Sequence, residues 1–479
     1  MKRILALLLL LMLPTSLVAQ FKLTAESRPV VFNRVTVIDM TGAPPKPNMT
    51  VVMVGNRISA IGKTGKVRLP QNAQIIDGTG KFLIPSFWDM HVHVLNSDRM
   101  LPLFVASGVL GVRDLGVHNI EEILRFREES ATGKIISPRI VTAGKVLDGE
   151  PQADPAFSIL IKTPAEGRKS VRDLQAKGVD CIKVYDVLSR EAYFAIADEA
   201  KKLGLPFVGH VPTAVTTIEA SDAGQKSIEH LGKIIEDSSG SPEKVRETQK
   251  SPIKEGDYFA FTTRIGRVYD ALIATYDDKK AKEVFRHFRK NKTWQVPTLS
   301  VKYGRTFIDE LDAKGDPNSK YVEASQVKYW KPSVGFFSRY RTPSYIAAQK
   351  KYFQQELDLV REMYRGGVPV MAGTDAPNAY VIAGFSLHDE LALQVKAGLT
   401  PLEALQTATI NPAKFLGLEK SLGTIEKGKL ADLVLLEANP LENIANTKKI
   451  SAVVAGGRYL SKETLQRILA DVESAVTKK

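Results

Sequence analysis

Between residues 85 and 373 short apolar runs alternate with stretches of helical periodicity. The runs are 87–93, 108–113, 139–143, 181–185, 206–210, 227–230, 293–298 and 368–373. Helical patterns lie between several of them, at 120–129, 170–177 and 190–203. Strands alternating with helices predict a parallel sheet with crossover helices. Eight such units predict an α/β fold of the (β/α)8 TIM-barrel kind.

The flanks read differently. Residues 29–83 are short strands broken by turns, and Gly55-Asn56 is a hairpin signal. Residues 423–436 and 450–459 have the same character, and 462–476 reads as a terminal amphipathic helix. Neither flank holds enough apolar strand for its own core. The two are expected to combine as one composite β-sandwich, residues 20–84 with 422–479, around a barrel at 85–421. Two long insertions, the charged and helical 240–292 and the Lys-, Tyr- and Ser-rich 303–343, are long enough to cover the barrel mouth.

The first residues set an expectation about compartment. Lys2 and Arg3 precede a short apolar run that ends in small and polar residues up to Ala19. That is the layout of a signal peptide over 1–19, and it predicts a secreted or periplasmic protein with no stable membrane insertion after cleavage. Losing Lys2 and Arg3 takes the formal charge from +13 to +11. The basic residues are scattered rather than striped with aromatics, so no nucleic-acid module is expected. Cys181 is the single cysteine, so no intrachain disulfide is available.

Chemistry concentrates at the strand ends. Of seven histidines, His91 and His93 end the first run, His210 the fifth and His230 the sixth, and Asp375 follows the eighth. Alternation along a strand puts His91 and His93 on one face. Four imidazoles and a carboxylate at one barrel mouth suit one or two divalent ions, zinc first. Such an ion lowers the pKa of its water to about 7, and Asp375 is placed to take that proton and pass it to a leaving group. Lys183 ends the fourth run; as an ammonium it would be repelled by metal, whereas carboxylated by CO2 it would bridge two ions. Tyr185, two residues on, shares its inward face and is a candidate donor to a developing oxyanion. Tyr303 and Tyr380 are weaker substrate-facing candidates. His118, His287 and His388 are read as structural.

The motifs Asp89-Met90-His91-Val92-His93, Gly209-His210, Glu229-His230 and Gly373-Thr374-Asp375-Ala376 resemble the amidohydrolase superfamily. The likeness is to the branch of imidazolonepropionase-like amidohydrolases and metal-dependent Xaa-Pro dipeptidases. Gly111–Gly116, Asn411-Pro412-Ala413 and 423–433 add to it. The resemblance implies His91, His93 and Asp375 on a more buried metal, and His210 and His230 on a more exposed one. It also implies Lys183 as the bridging carboxylated lysine. Pro85-Ser86 stands where the family has Pro-Gly, and the segment from Lys183 to His210 is compact for the dipeptidases. The resemblance favours two metals, and the compact segment leaves a one-metal site on His91, His93, His210 and Asp375 as the alternative.

The expectation is a metal-dependent hydrolase of carbon–nitrogen bonds, with a dipeptide or N-acyl amino acid as substrate. Cyclic amide, lactone or phosphotriester hydrolysis is the enzymatic alternative, and a non-catalytic binding relative the rival from another class. The partner is a small molecule or short peptide, and a homo-oligomer is compatible with the sequence.

Overall fold

The computed structural model describes residues 28–95, 99–240, 258–335 and 340–477, without the side chains of 258–261. The signal peptide expected at 1–19 lies outside the described residues, as do 241–257 and 336–339 of the two long insertions.

Five strands open the fold: β1 (Val30–Val37), β2 (Lys46–Val54), β3 (Arg57–Lys63), β4 (Gln74–Asp77) and β5 (Phe82–Pro85). Gly55 and Asn56 turn β2 into antiparallel β3, as their residue types demand. Nine strands follow: β6 (Phe87–Val92), β7 (Val109–Asp114), β8 (Arg139–Thr142), β9 (Val146–Asp148), β10 (Ser158–Leu160), β11 (Ile182–Val184), β12 (Phe207–Gly209), β13 (Ser227–Glu229) and β14 (Trp294–Val296). The chain ends with β15 (Leu433–Leu436), β16 (Ile450–Ala455), β17 (Arg458–Ser461) and the helix Lys462–Thr477.

β5 pairs antiparallel with β15. Strands from the two chain ends therefore share one mixed sheet, in the order β17–β16–β15–β5–β1–β2–β3 with β4 beside β1. A second seam brings the same ends together where Ile58 N–H donates to Lys429 O at 2.9 Å and Ala431 N–H to Asn56 O at 2.8 Å. Phe32, Val35, Val51, Leu83, Leu433 and Val454, all buried, form one core beneath this sheet.

Parallel strands alternating with helices form the middle of the chain, a TIM-barrel-type α/β arrangement. β6–β7–β8 make one parallel sheet and β10–β9–β11–β12–β13–β14 another. The 240–292 insertion carries helices Tyr258–Ala274 and Asp278–Asn291. The expected eighth strand needs correction: 368–373 forms a single isolated bridge, at Val370, rather than a strand. Gln295 N–H donates to Pro369 O, and Met90 N–H to Ala372 O. Gly373 explains the close approach, since a Cβ there would lie 2.6 Å from Val296 Cγ1 and 2.9 Å from His91 N. Unexpected strands β9 and β10 add a parallel pair beside β11. Among the described residues no helix is long and apolar enough to cross a membrane.

Candidate metal centre

His91 lies inside β6, and His93 follows its last residue. Their Nε2 atoms are 3.4 Å and 3.1 Å from Asp375 Oδ1. These three residues form the one metal-competent group of His, Cys, Asp and Glu found among the described residues, with ligand atoms within 4.8 Å of one another. Beside them the His230 ring is 4.5 Å from that of His91, and the His210 ring 4.8 Å from that of His230. Lys183 Nζ, fully buried, is 3.5 Å from His91 Nε2. All six expected ligand positions therefore meet. Tyr185 joins them by stacking on His210, with ring centroids 4.1 Å apart.

Several backbone conformations here are ones side chains resist. His230, Thr298 and Asp375 have φ of 60°, 48° and 65°. Non-glycine residues in the left-handed region cost on the order of 1–3 kcal/mol each and persist where their surroundings hold them. For Asp375 the holding contacts are visible. Its N–H and that of Thr374 donate to His91 O. Thr374 N–H and Oγ1–H donate to the two oxygens of Asp89, at 3.0 and 2.7 Å. Burial pushes the Asp89 carboxyl up to about 7.

The imidazoles share a feature that tests the fit to a metal: in each, Nδ1 faces a partner. His91 Nδ1 meets Glu229 Oε2 at 2.9 Å, and His93 Nδ1 meets the Gly116 carbonyl at 3.1 Å. His210 Nδ1 meets Asp186 Oδ1 at 2.9 Å, and His230 Nδ1 meets Thr298 Oγ1 at 2.7 Å. Carbonyls and carboxylates only accept. The Thr298 hydroxyl donates to Pro297 O, so it too accepts from His230. Each Nδ1 therefore carries a hydrogen, which leaves Nε2 as the ring nitrogen open to a metal. Metal-ligating histidines are oriented by this kind of outer contact. The donor set fits a divalent ion.

The electrostatics agree. Burial holds His91 and His230 well below the usual imidazole value, with the Lys183 charge the next cause for His91 and the His91 charge for His230. Neutral imidazole is the form that ligates. Burial also acts on Asp375, but His93 and the charges around it outweigh that and hold the carboxyl well below its usual range. Burial lowers the Lys183 amine to about 8.

The sequence reading missed the outer layer: Glu229, Arg113, Asp186, Thr298 and Asp89. Glu229, Arg113 and Asp89 lie in the motifs already noted, but strand periodicity does not say which buried polar group meets which. Two expectations need correction. Tyr303 packs against Phe307 and Phe353, and Tyr380 Oη–H donates to Asp312 while its ring lies against Trp330, so both are engaged elsewhere. His388, read as structural, is buried and bonds Ser107 O.

Known proteins place this arrangement. The chain is similar to imidazolonepropionase from Shouchella clausii, 36% identical over 196 residues, which is 38% of this chain and 39% of that protein. The chain thus spans about two fifths of the length of that curated relative. Among solved structures, bottromycin amidohydrolase superposes with a TM-score of 0.73 at 24% identity, covering 96% of this chain and 93% of that one. A Xaa-Pro dipeptidase with methionine bound in its active site superposes with a TM-score of 0.65 at 22% identity, covering 90% and 100%. At these identities the structural likeness is one of fold. The Amidohydrolase family, by contrast, matches residues 82–460, most of the sequence and every residue of the cluster. The chain belongs to the amidohydrolase family.

Proposed function

We propose that this chain is a metal-dependent hydrolase of carbon–nitrogen bonds that cleaves an amide of dipeptide or N-acyl amino acid type. The observation that carries this is the common arrangement of four clustered imidazoles, each with Nδ1 engaged by an acceptor and Nε2 left for a metal, around the ionised Asp375. The family match and the amidohydrolase and dipeptidase structures of the same fold support the bond type.

His91, His93 and Asp375 would hold the more buried ion, and His210 and His230 a second, with zinc favoured by the donors. Lys183 would bridge them as a carbamate. Its buried amine, lowered to about 8, supports that role, since CO2 is attacked by the unprotonated form. When bound, the metal supplies Lewis acidity to the scissile carbonyl and to water. Asp375 takes the proton from the attacking water at a carboxylate oxygen and returns it to the leaving nitrogen. Tyr185, whose hydroxyl is held in its protonated form chiefly by burial, donates to the developing oxyanion.

Three architectural readings belong with this proposal. The bridge of Val370 to β14 and the Met90 N–H bond from β6 to Ala372 O, with Asp180 N–H donating to Thr142 O beyond β8, support an eight-membered closed barrel. The two seams between the chain ends support a composite sandwich of 20–84 and 422–479. Residues 1–19 are proposed to direct export, which N-terminal sequencing of the mature protein checks.

The functional test is elemental analysis of the full chain beside Lys183→Ala and His91→Ala, with turnover of dipeptides and N-acyl amino acids. Two zinc equivalents, falling in Lys183→Ala, are expected. Metal catalysis is worth several kcal/mol, so His91→Ala is expected to lose about 10³-fold or more in turnover. One equivalent unaffected by Lys183→Ala removes the bridge and favours single-metal chemistry on cyclic amides. No metal after reconstitution overturns the proposal.

A further inference from the structure

We propose that Arg113 and Glu229 are positioning residues for the metal centre: a buried ion pair through the barrel interior that fixes the hydrogen of His91 on Nδ1 and aims its Nε2. The inference rests on reading His91 as a ligand. It goes beyond that reading by assigning a role to two side chains that touch neither the metal nor the substrate.

The contacts form a closed set. The Arg113 Nη2–H group donates to both Glu229 oxygens, at 2.9 and 3.0 Å. Its Nε–H donates to Met90 O at 2.7 Å and its Nη1–H to Ser227 Oγ at 2.9 Å. Ser227 Oγ–H in turn donates to Glu229 Oε1 at 2.5 Å. Glu229 Oε2 is left facing His91 Nδ1. Arg113 and Glu229 are 1% and 0% exposed. Arginine suits the place because its rigid fork reaches two oxygens and further acceptors at once, which an ammonium does not.

The topology explains why a charged pair is used. Arg113 stands on β7, in the three-stranded parallel sheet with β6, and Glu229 on β13, in the six-stranded one. The pair therefore ties the two sheets together through the interior. Its bond to Met90 O grips the strand that carries His91 one residue away. The other three imidazoles lean on a carbonyl, a hydroxyl and the half-exposed Asp186. Among the described residues, only His91 is anchored by a fully buried ion pair. A neutral amide at position 229 can present either its oxygen or its NH2 to Nδ1, so it does not select the tautomer that a carboxylate selects.

The test is zinc affinity of the full chain, measured by competition with a chromophoric chelator, alongside melting of the metal-free protein. Glu229→Gln is expected to weaken zinc binding by about 10–100-fold, the range found for outer contacts of metal ligands. Arg113→Lys is expected to fall between it and the wild type. In a His91→Asn background, Glu229→Gln should cause no further loss, because the imidazole it positions is gone. A pair with only a structural role would lower melting and leave zinc affinity unchanged, which overturns the proposal. A second measurement needs no variant that must fold: 15N-histidine NMR of the metal-free wild type should show the His91 hydrogen on Nδ1, and finding it on Nε2 overturns the proposal. A wild type that binds no zinc strikes the functional reading instead, and the NMR result still judges the pair.

Discussion

Two interiors of this molecule are equally buried and oppositely made. Under the mixed sheet, Phe32, Val35, Val51, Leu83 and Leu433 pack as an apolar core drawn from both chain ends. At the mouth of the parallel strands, Asp89, His91, Arg113, Asp114, Lys183, Glu229 and Thr374 are buried to 1% exposure or less. The first gains stability from area removed from water, which is non-directional and tolerant of exchange between apolar residues of similar size. The second holds only because each polar group finds a partner, since an unpaired buried charge is costly. Volume governs one region and identity the other. The region indifferent to identity joins strands from both ends of the described chain; the one sensitive to it gathers the candidate metal site.

That contrast breaks if mutations in the two regions have the same signature. The largest effect is expected from Phe32→Ala, which empties a site on β1 where the ring meets Tyr459 of β17 at 6.2 Å. Burying no ring there should cost about 3–5 kcal/mol in chemical denaturation, with zinc affinity of the remaining folded protein unchanged. A matching loss of zinc affinity would show that the two interiors are one cooperative unit. Gly209→Ala should give the reverse pattern at smaller size. Gly209 has φ +124°, and a Cβ would lie 2.3 Å from Val184 O and 2.9 Å from Lys183 Cδ. The clash should cost at least about 1 kcal/mol. It should also shift Lys183 and His210, reducing bound metal more than melting predicts; full metal content in a destabilised protein would argue against this.

The smallest effect sharpens the comparison from the surface. Arg190 and Glu219 form a partly exposed pair, and Glu219 also caps the helix Thr217–Asp222. The Arg190 hydrogen bond, ahead of opposing burial, lowers the Glu219 carboxyl from 4.5 to about 2. A carboxyl lowered on folding stabilises fully above its unfolded value near 4.5. That contribution fades as pH falls through about 2. Screening limits such a pair to about 1 kcal/mol or less. Unfolding curves of Arg190→Gln against the wild type should differ by that amount at pH 6 and converge as pH approaches 2. A constant difference would mean the pair acts through packing rather than charge.

The ligands were legible because strand-end chemistry is local. A histidine at the end of an apolar run is visible in one dimension, and four such histidines meet Lys183 and Asp375 in the structure. The hairpin at Gly55-Asn56 was legible for the same reason, because two residue types suffice for the turn. The short strands β9 and β10 were not, since they exist only through pairing, β10 with β9 and β9 with β11. The expected strand at 368–373 became a bridged segment because it lies between β14 and β6 around Gly373.

The sequence alone thus determined the alternation of strands and helices, the family, and which residues could bind metal. Each of these depends on residue type and spacing along the chain. Only the tertiary structure decided how the candidate ligands are held: the left-handed backbone of His230 and Asp375, the partner at each Nδ1, and the Arg113–Glu229 pair between the two sheets. These depend on contacts between strands far apart in sequence. A buried polar group is stable only when its partner is in place, and only the folded chain supplies that partner.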